Sequence, residues 1–359
     1  MRIIQIIDSL EAGGAERMAV NYANALVGEI TYSGLVVTRK EGNLKKEVDN
    51  RVSYLFLNKK NTFDVSALIR LRNFVKKNKV TVIHAHSTSF FIGVLIKLSF
   101  PKIKLVWHEH YGARINQSRM GNLSLLFSSV FFSSVLTVNP KLETWIKRNL
   151  FVKKVTHIPN FITQEAIVSR KTFLKGSNGR RIVCLANLKN PKNHLALLKV
   201  FEEMKLHDLD WSLHLIGKDY NDCYSDALKG FIKKNDLEKF IFIYDSKDDI
   251  QHILSQGTIG VLSSTDEGFP VSLLEYGLAK LAVLSTNVGY CPSIIKDDFS
   301  GLLFSPLSDL QFGEQLCKII SGETLRIRFG ERLHEIVLQQ YSREAVIKKY
   351  LNYLECNCK

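Results

Sequence analysis

The sequence predicts an α/β protein with two domains, each a parallel sheet covered by helices. The chain has 359 residues, more than one ordinary domain contains. Continuous runs of Val, Ile and Leu alternate with stretches of helical periodicity, and such runs indicate strands that are buried on both faces. The alternation stops after Asn160, where a polar and basic stretch (169–181) follows, and then it starts again. We therefore predict two doubly wound units of similar size.

The first half opens with the strand RIIQIID (2–8), followed by a Gly-Gly turn and the helical stretch AERMAVNYANALV. The later strand candidates of this half are YSGLVVT (32–38), VSYLFL (52–57), VTVIHAH (80–86), KLVWHEH (104–110), SVLTVN (134–139) and THIPN (156–160). Helical segments separate most of them, as parallel strand pairing requires. We assign residues 1–163 to an N-terminal domain.

The second half repeats this pattern. Its strand candidates are RIVCLANL (181–188), WSLHLIGK (211–218), FIFIYD (240–245), IGVLSS (259–264) and LAVLST (281–286). Helical stretches follow most of them, including HLALLKVFEEM and SLLEYGLA. We assign residues 164–340 to a C-terminal domain, and we expect the last helix, about 341–359, to pack back on the N-terminal domain.

The charge is distributed unevenly between the halves. Residues 1–165 contain 24 Lys and Arg against 11 Asp and Glu, whereas the remaining residues are almost balanced. A basic N-terminal half favours phosphate-bearing ligands, an anionic membrane surface or nucleic acid, and solubility charge explains it equally well. No interleaving of aromatic and basic residues indicates a nucleic-acid module, so nucleic-acid binding is the most distant of these functions.

The sequence favours a cytoplasmic protein. The first apolar run stops at Asp8 without the features of a signal peptide, and the six cysteines form no CxxC pair. The uncharged segment 120–140 is short for a membrane span and rich in serine. We expect it to form a buried helix and a strand, and contact with a membrane surface is the alternative.

Two HxH pairs stand at the ends of predicted strands. In each pair, His84 with His86 and His108 with His110, the side chains share one face of an extended chain. One hypothesis is a metal site of a hydrolase, but the sequence lacks suitably placed carboxylate partners. At least three of these histidines are expected to make polar contacts or core hydrogen bonds, and one is a candidate substrate contact or acid–base group.

Two acids flank a Gly-Phe-Pro turn in the stretch STDEGFPVSLLEYG, residues 264–277. Glu267 is expected in the loop after a strand, and Glu275 in a helix whose first turn contains Pro270. Carboxylates bind hydroxyl groups, and the amides of residues 269–272 suit a phosphate, so the stretch fits a sugar nucleotide. A helix-start acid with an exposed helical glutamate is the alternative. Lys192, before another helix, either holds a phosphate or is a solvated surface lysine.

The segment EGFPVSLLE (267–275) resembles the signature of retaining glycosyltransferases of family 4. These enzymes have the GT-B architecture, in which two Rossmann-like domains face each other across a cleft. Other segments agree in order along the chain: GGAER (13–17), HIPNFI (157–162), NLKNPKNH (187–194), LHLIGK (213–218) and residues 287–304. The resemblance covers nearly the whole chain and is strongest in 181–305.

The resemblance implies transfer of a sugar from a nucleotide-diphosphate sugar to a glycan or lipid-linked glycan, with retention of configuration and without a metal or other cofactor. Glu267 would contact the donor sugar, Glu275 the ribose, and Lys192 the diphosphate. The remaining implied donor contacts are Gly13, Gly14, Asn187, Gly268, Phe269, Pro270 and Val271. His110 is the best match to the family's cleft histidine, and His108 is the alternative.

The chain departs from the family pattern at two places. Asn187 stands where the family commonly has an arginine, five positions before the lysine. The family's Gly-Gly and following acid appear here as Gly289-Tyr290 and Ser293. We therefore expect the diphosphate charge to be met partly by other groups, and the donor-side loop at 289–293 to have a different shape.

The acceptor is expected on the N-terminal domain. The candidates on this side are His86, His108, Arg114 and Arg119. With the basic charge and the apolar stretch 122–138, they suit a polyprenyl-linked glycan at the inner membrane face, and we expect peripheral membrane association in polysaccharide synthesis. A sugar-nucleotide epimerase of similar two-domain shape is the first alternative function, and the metal-dependent hydrolase is the second.

Overall fold

The structure is a computed structural model that describes residues 1–11, 13–118, 120–163 and 170–357. The chain divides into two compact units, Met1–Thr163 with Arg343–Lys359 and Gln164–Ser342. Each unit contains a parallel sheet with helices packed on it. The predicted fold class, α/β with two parallel sheets, is confirmed.

The strands follow the predicted runs closely. Those of the first unit are β1 (Arg2–Ser9), β2 (Tyr32–Lys40), β3 (Ser53–Phe56), β4 (Val82–His86), β5 (Lys104–Glu109), β6 (Ser134–Thr137) and β7 (Val155–His157). Those of the second are β8 (Arg181–Leu185), β9 (Ser212–Ile216), β10 (Ile241–Tyr244), β11 (Ile259–Leu262), β12 (Ala282–Thr286) and β13 (Leu302–Phe304). Our strand assignment omitted β13, because its three residues are too few to show a periodicity.

The α-helices connect these strands. They are α1 (Gly14–Ala25), α2 (Val65–Lys77), α3 (Phe90–Ser99), α4 (Leu123–Ser128), α5 (Pro140–Asn149), α6 (His194–Glu203), α7 (Cys223–Lys234), α8 (Ile250–Leu254), α9 (Val271–Leu278), α10 (Cys291–Ile294), α11 (Asp309–Ser321), α12 (Glu323–Tyr341) and α13 (Arg343–Asn357). Side-chain caps begin several of them. The carboxylates of Asp64 and Asp222 accept hydrogen bonds from first-turn amides of α2 and α7. The Asn139 side chain does the same for α5, where Pro140 takes the first position.

In each sheet, the order in which the chain adds strands reverses once. The order in the first sheet is β3-β2-β1-β4-β5-β6-β7, and in the second it is β10-β9-β8-β11-β12-β13. The chain therefore builds outward from β1 and from β8 on one side, and then returns to build on the other side. Ligands of open α/β sheets bind at such switch points, beyond the carboxyl ends of the strands. The two switch points lie between β1 and β4 and between β8 and β11.

The last helix, α13, packs in the first unit. Its buried side chains Val346, Ile347 and Tyr350 join a cluster with Ile3 of β1 and Met18 of α1. The Tyr350 hydroxyl lies 3.0 Å from Nδ1 of His84 on β4. Apolar burial of this kind stabilises a helix that has little amphipathic character of its own.

The uncharged segment 120–140 contains α4 and β6, as expected for a buried helix that leads to a strand. Leu125 and Leu126 are buried, whereas Phe127 and Val130 are exposed. No helix within the described residues combines the length and the hydropathy that crossing a bilayer requires.

Buried histidines should make the second unit acid-sensitive. Burial lowers the pKa of His194 and of His214 to about 4, from an ordinary value of 6.5. The unfolded chain therefore binds more protons between these values, and stability is lost as the pH falls from 6.5 towards 4. We expect the free energy of unfolding to fall by up to about 1.4 kcal/mol per pH unit for each histidine in this range. Urea unfolding at pH 7 and pH 5 measures it.

The variant His214→Gln provides the control for this prediction. His214 is buried and contacts Ser212 and Tyr244, outside the residues that carry the candidate site. The variant should be less stable at pH 7 and should have a shallower pH dependence than the wild type. An identical slope in both proteins would contradict the assignment of the acid sensitivity to this residue.

Candidate functional site

A tyrosine hydroxyl bridges the two strands at the switch point of the second unit. Strands β8 and β11 pair only at Ile182 with Ile259 and Val183 with Gly260. Beyond this pairing the hydroxyl of Tyr276, on α9, accepts a hydrogen bond from Leu185 N (2.7 Å) and donates one to Val261 O (3.1 Å). The helix therefore anchors at the point where the two strands separate, and the loops after β8 and β11 meet beyond it.

Two hydrogen bonds to backbone carbonyls join these two loops. The loop after β11, residues 263–270, is called the acid loop below. Thr265 N donates to Pro191 O at 2.8 Å, and Ser263 Oγ donates to Lys192 O at 3.0 Å. The backbone at Lys192 is thereby fixed relative to the acid loop, although the two segments are far apart in sequence.

The side chains of Lys192 and Glu267 form an ion pair at this position. Lys192 Nζ lies 2.6 Å from Glu267 Oε1, and both side chains are largely buried. Ser264 Oγ donates to the same carboxylate oxygen at 2.6 Å. The pair places a cation and a hydroxyl-binding carboxylate next to each other at the switch point, which is an arrangement suited to a ligand with phosphate and hydroxyl groups.

Helix α9 begins beside this pair, at Val271. Pro270 is its N-cap, one position earlier than the first-turn placement that we predicted, and the side chain of Pro270 makes no cap hydrogen bond. Such a helix start presents amide groups and a partial positive charge to an anion. Glu275 is half-buried in the second turn. Helix α12 packs against α9 so closely that a Cβ on Gly277 would lie 2.6 Å from Val337.

Asn187 has a defined structural contact. Its Oδ1 accepts a hydrogen bond from Lys218 N at 3.0 Å, which connects the loops after β8 and β9. An arginine at this position would lack that acceptor. The amide therefore stabilises the loop arrangement, and its assignment as a donor contact stays a prediction.

In the first unit, the predicted glycines lie at the switch point between β1 and β4. Gly13 is the N-cap of α1 with extended backbone, and Gly14 is the first helical residue. Gly13 has no side chain that could cap the helix, but the Glu16 carboxylate lies close by, because a Cβ on Gly13 would be 2.2 Å from Glu16 Oε2. An anion at this helix start would have to displace that carboxylate, so the role of the two glycines stays a prediction.

The four histidines form a buried, hydrogen-bonded cluster. His84 Nε2 lies 3.2 Å from His108 Nδ1, and His86 Nδ1 lies 3.0 Å from His110 Nε2. His84, His86 and His108 are fully buried, and His110 is the partly exposed member. Burial lowers the pKa of His110 to about 3, so its ring is neutral near pH 7. Of the two candidates for the cleft histidine, His110 is the more accessible.

The same cluster is the candidate metal site. One ring nitrogen from each of His84, His86 and His108 lies within 4.8 Å of the other two. The pairs just described already use nitrogens of all three rings, and Gln5 Oε1 lies 2.9 Å from His86 Nε2. A metal ion would have to replace these hydrogen bonds, so the contacts favour a hydrogen-bonded core cluster over a metal centre.

Arg114 is held inside the first unit. Its guanidinium pairs with the fully buried carboxylate of Glu109 and donates to Asn122 Oδ1 at 2.6 Å. These contacts anchor the loop after β5, and the assignment of Arg114 to the acceptor stays a prediction. Arg119, the other arginine that we predicted for the acceptor, lies outside the described residues.

Two contributors were missed at the sequence level. Ser264 holds the Glu267 carboxylate, and its position next to the acid motif was a usable signal. Tyr276 joins two strands through its hydroxyl, and nothing in the local pattern separates it from an ordinary core aromatic.

Two family models match the chain over adjoining ranges. The model described as "Glycosyltransferase Family 4" matches residues 12–165, and the model described as "Glycosyl transferases group 1" matches residues 167–335. The first range contains the histidine cluster, and the second contains Lys192, Glu267 and Glu275. Together they cover most of both units.

Two glycosyltransferases match the chain over most of their own length. The chain is 20% identical over 350 residues to an uncharacterized glycosyltransferase of Haemophilus influenzae, with 96% of each protein covered. It is 23% identical over 354 residues to the UDP-Gal:alpha-D-GlcNAc-diphosphoundecaprenol alpha-1,3-galactosyltransferase of Escherichia coli, covering 90% of this chain and 89% of that protein. The crystal structure of Anabaena Alr3699/HepE with UDP and glucose matches with a TM-score of 0.82, at 14% identity, over 99% of this chain and 100% of that one.

Proposed function

Because the chain belongs to the family 4 glycosyltransferases with the GT-B fold, we propose that Lys192, Glu267 and the start of α9 bind its nucleotide-sugar donor. The observation that carries this proposal is the 2.6 Å ion pair between Lys192 and Glu267 at the switch point between β8 and β11. A diphosphate is bound by a cation and by helix amides, and Lys192 and the start of α9 provide these groups. A sugar needs a group that accepts hydrogen bonds from its hydroxyls, and the Glu267 carboxylate provides it.

The prediction of a glycosyltransferase is confirmed by the family, and a retaining reaction is consistent with it. The relatives favour neither an epimerase nor a metal-dependent hydrolase. The galactosyltransferase of Escherichia coli is named for a diphosphoundecaprenol-linked acceptor. We propose an acceptor of this class for the present chain, a lipid-linked glycan used in cell-surface polysaccharide synthesis.

The donor site accounts for the difficult step of the reaction. As the anomeric bond breaks, negative charge grows on the nucleoside diphosphate. Lys192 and the first amides of α9 stabilise that charge. Because a hydrogen bond from Ser263 already fixes the backbone at Lys192, little reorganisation of that residue is needed. We propose attack on the same face of the sugar, with the leaving phosphate taking the proton of the acceptor hydroxyl. No metal is required in this scheme, since the lysine supplies the positive charge.

His110 is the proposed polar contact on the N-terminal unit. Its ring is neutral, and its Nδ1 is buried without a hydrogen-bond partner among the described residues. Buried polar atoms are rarely left unsatisfied, so an unpaired nitrogen indicates a partner such as a substrate hydroxyl or a water molecule. We propose that a sugar hydroxyl pairs with it when the substrates bind.

A thermal-shift screen against UDP-, GDP- and ADP-sugars tests the donor assignment. We expect at least one nucleotide sugar to raise the Tm of the wild type, with or without a chelator present. The variant Glu267→Ala should lose most of that shift, whereas Glu203→Ala, at the exposed end of α6, should retain it. If no nucleotide sugar stabilises the wild type, the donor site is wrongly assigned.

An exposed apolar patch supports peripheral contact with an anionic membrane. Phe127, Val130 and Phe151 are exposed by 67%, 64% and 57%. They are neighbours, because Phe151 N donates to Ser129 Oγ at 3.0 Å. The exposed basic residues Lys147, Arg148, Lys153 and Lys154 belong to the same part of the chain. Apolar side chains beside basic ones bind the interface of anionic bilayers, so we propose that the inner membrane face is the partner of this patch.

Sedimentation with vesicles of phosphatidylglycerol and phosphatidylethanolamine tests the patch. At low salt the wild type should sediment with them, and added salt should weaken binding because basic side chains contribute. The variant Phe127→Ser/Val130→Ser should remain in the supernatant. As a matched control, Leu310→Ser removes a side chain exposed by 75% in the other unit and should bind normally. A wild type that does not sediment would exclude the proposed membrane contact.

A further inference from the structure

The acid loop rests on a second loop that has its own aromatic residue. In this second loop, residues 287–290, Gly289 has a left-handed backbone with φ +54°. A Cβ at this position would lie 1.7 Å from the carbonyl oxygen of Glu267, so the two backbones are in direct contact. Only glycine fits there. Any movement of the second loop therefore reaches the backbone of the proposed donor-binding glutamate.

Tyr290 covers the acid loop from the same side. Its ring stacks on Phe269, with centroids 5.0 Å apart and an interplanar angle of 25°. Phe269 stands two residues from Glu267, in the part of the loop that leads into α9. Offset stacking of this kind stabilises one arrangement of the two rings over others.

Tyr341 packs against the same pair of segments as Tyr290. It is the last residue of α12, it is buried, and its ring meets Phe269 edge-on at 5.9 Å. Its hydroxyl donates to Ser293 O at 3.3 Å, and a hydrogen bond joins it to the Tyr290 hydroxyl. Two aromatic rings from two other segments of the second unit, Tyr290 and Tyr341, therefore pack against Phe269 of the acid loop.

We infer that Tyr290 is a positioning residue for the donor: through Phe269 and Gly289 it holds the acid loop in the conformation that presents Glu267 and the start of α9. This inference rests on the proposed donor site and goes beyond it, because Tyr290 itself contacts neither Lys192 nor the carboxylate in the contacts described above. Without the ring, the loop has more freedom, and donor binding must restrict that freedom at a cost in affinity.

Steady-state kinetics of Tyr290→Leu and Tyr290→Phe test the inference with the donor identified by the thermal-shift screen. The leucine variant loses the ring pair, and we expect its donor KM to rise by about tenfold, which is the scale of such a pair. The phenylalanine variant keeps the stack and should restore the KM to within about threefold of the wild type. Hydrogen exchange should be faster in residues 264–270 of the leucine variant.

Phe312→Leu is the matched control for general destabilisation. It breaks another stacked pair of the same unit, Phe304 with Phe312, whose centroids are 4.2 Å apart. This variant should lower the Tm and leave the donor KM unchanged. If Tyr290→Leu lowers the Tm to the same extent and also leaves the KM unchanged, Tyr290 has only a structural role and the inference is wrong.

Two further outcomes separate this inference from the proposed function. If the wild type turns over no nucleotide sugar, the assignment of the donor site is wrong, and so is the inference about Tyr290. An active wild type with an unaltered Tyr290→Leu variant refutes the inference alone. If Tyr290→Leu does not fold, Tyr290→Met replaces the ring by a flexible side chain about as large as leucine and must show the same rise in KM.

Discussion

Replacing Lys192 with alanine is expected to lower the kcat of sugar transfer by about two to three orders of magnitude, the scale observed when one group that stabilises a developing anion is removed. The ammonium of Lys192 lies 2.6 Å from Glu267 Oε1, beside the start of α9. The backbone carbonyl of Lys192 is fixed by a hydrogen bond from Ser263. Because leaving-group charge grows in the transition state, the loss should fall mainly on kcat and less on the donor KM. Initial rates with saturating donor measure it.

The control for this variant is Lys199→Ala. Lys199 is an exposed lysine on α6, seven residues further along the chain, and its removal changes the net charge by the same amount. It should retain wild-type kcat. Equal losses in both variants, or a Lys192→Ala enzyme with normal kcat, would contradict the proposed role of Lys192 at the diphosphate.

Replacing Arg114 with methionine is expected to destabilise the first unit by about 3–5 kcal/mol, the range for breaking a buried ion pair from one side. The Glu109 carboxylate is fully buried, and the side chain of Arg114 is only 11% exposed. Burial raises the pKa of Glu109, and the charge of Arg114 opposes that rise. Removing the arginine leaves a buried carboxylate without its counter-ion. The free energy of unfolding in urea at pH 7 measures the loss.

The pH dependence identifies the unpaired carboxylate as the cause. In the folded variant Glu109 has a pKa above the 4.5 of the unfolded chain, so the folded state binds more protons. The stability deficit should therefore be largest above the folded pKa and should shrink as the pH falls towards 4.5. The double variant Glu109→Gln/Arg114→Met removes both charges and should recover much of the stability. A deficit that is equal in the single and double variants would attribute the loss to packing instead.

Much of the fold was readable from the sequence because strands buried on both faces must be apolar throughout. The runs RIIQIID and IGVLSS predicted β1 and β11, and the Gly-Gly turn predicted the start of α1. Strand β13 was not predicted, because three residues are too few to show the periodicity of a strand. Pro270 was predicted in the first turn of α9, and it is the N-cap. These errors concern element ends, where hydrogen bonds between segments compete with local preference.

The candidate site was only partly readable. The acid motif stood out because Glu267 and Glu275 are local to one turn and one helix. The assignment of Arg114 to the acceptor stays a prediction, and only the folded chain shows that this arginine pairs with the buried Glu109. Likewise, the histidine pairs suggested separate polar contacts, and the adjacency of β4 and β5 joins them into one cluster.

The sequence by itself determined the two parallel sheets, the glycosyltransferase motif and the order of the segments that carry it, because periodicity and spacing are local properties of the chain. Only the tertiary structure decided that Lys192 meets Glu267, 75 residues away, and that Tyr290 stacks on Phe269. Those contacts depend on the strand order, which places β8 beside β11 and brings the loops beyond β11 and β12 together. Strand order is set by how the helices pack over the whole sheet, and no local pattern of residues encodes it.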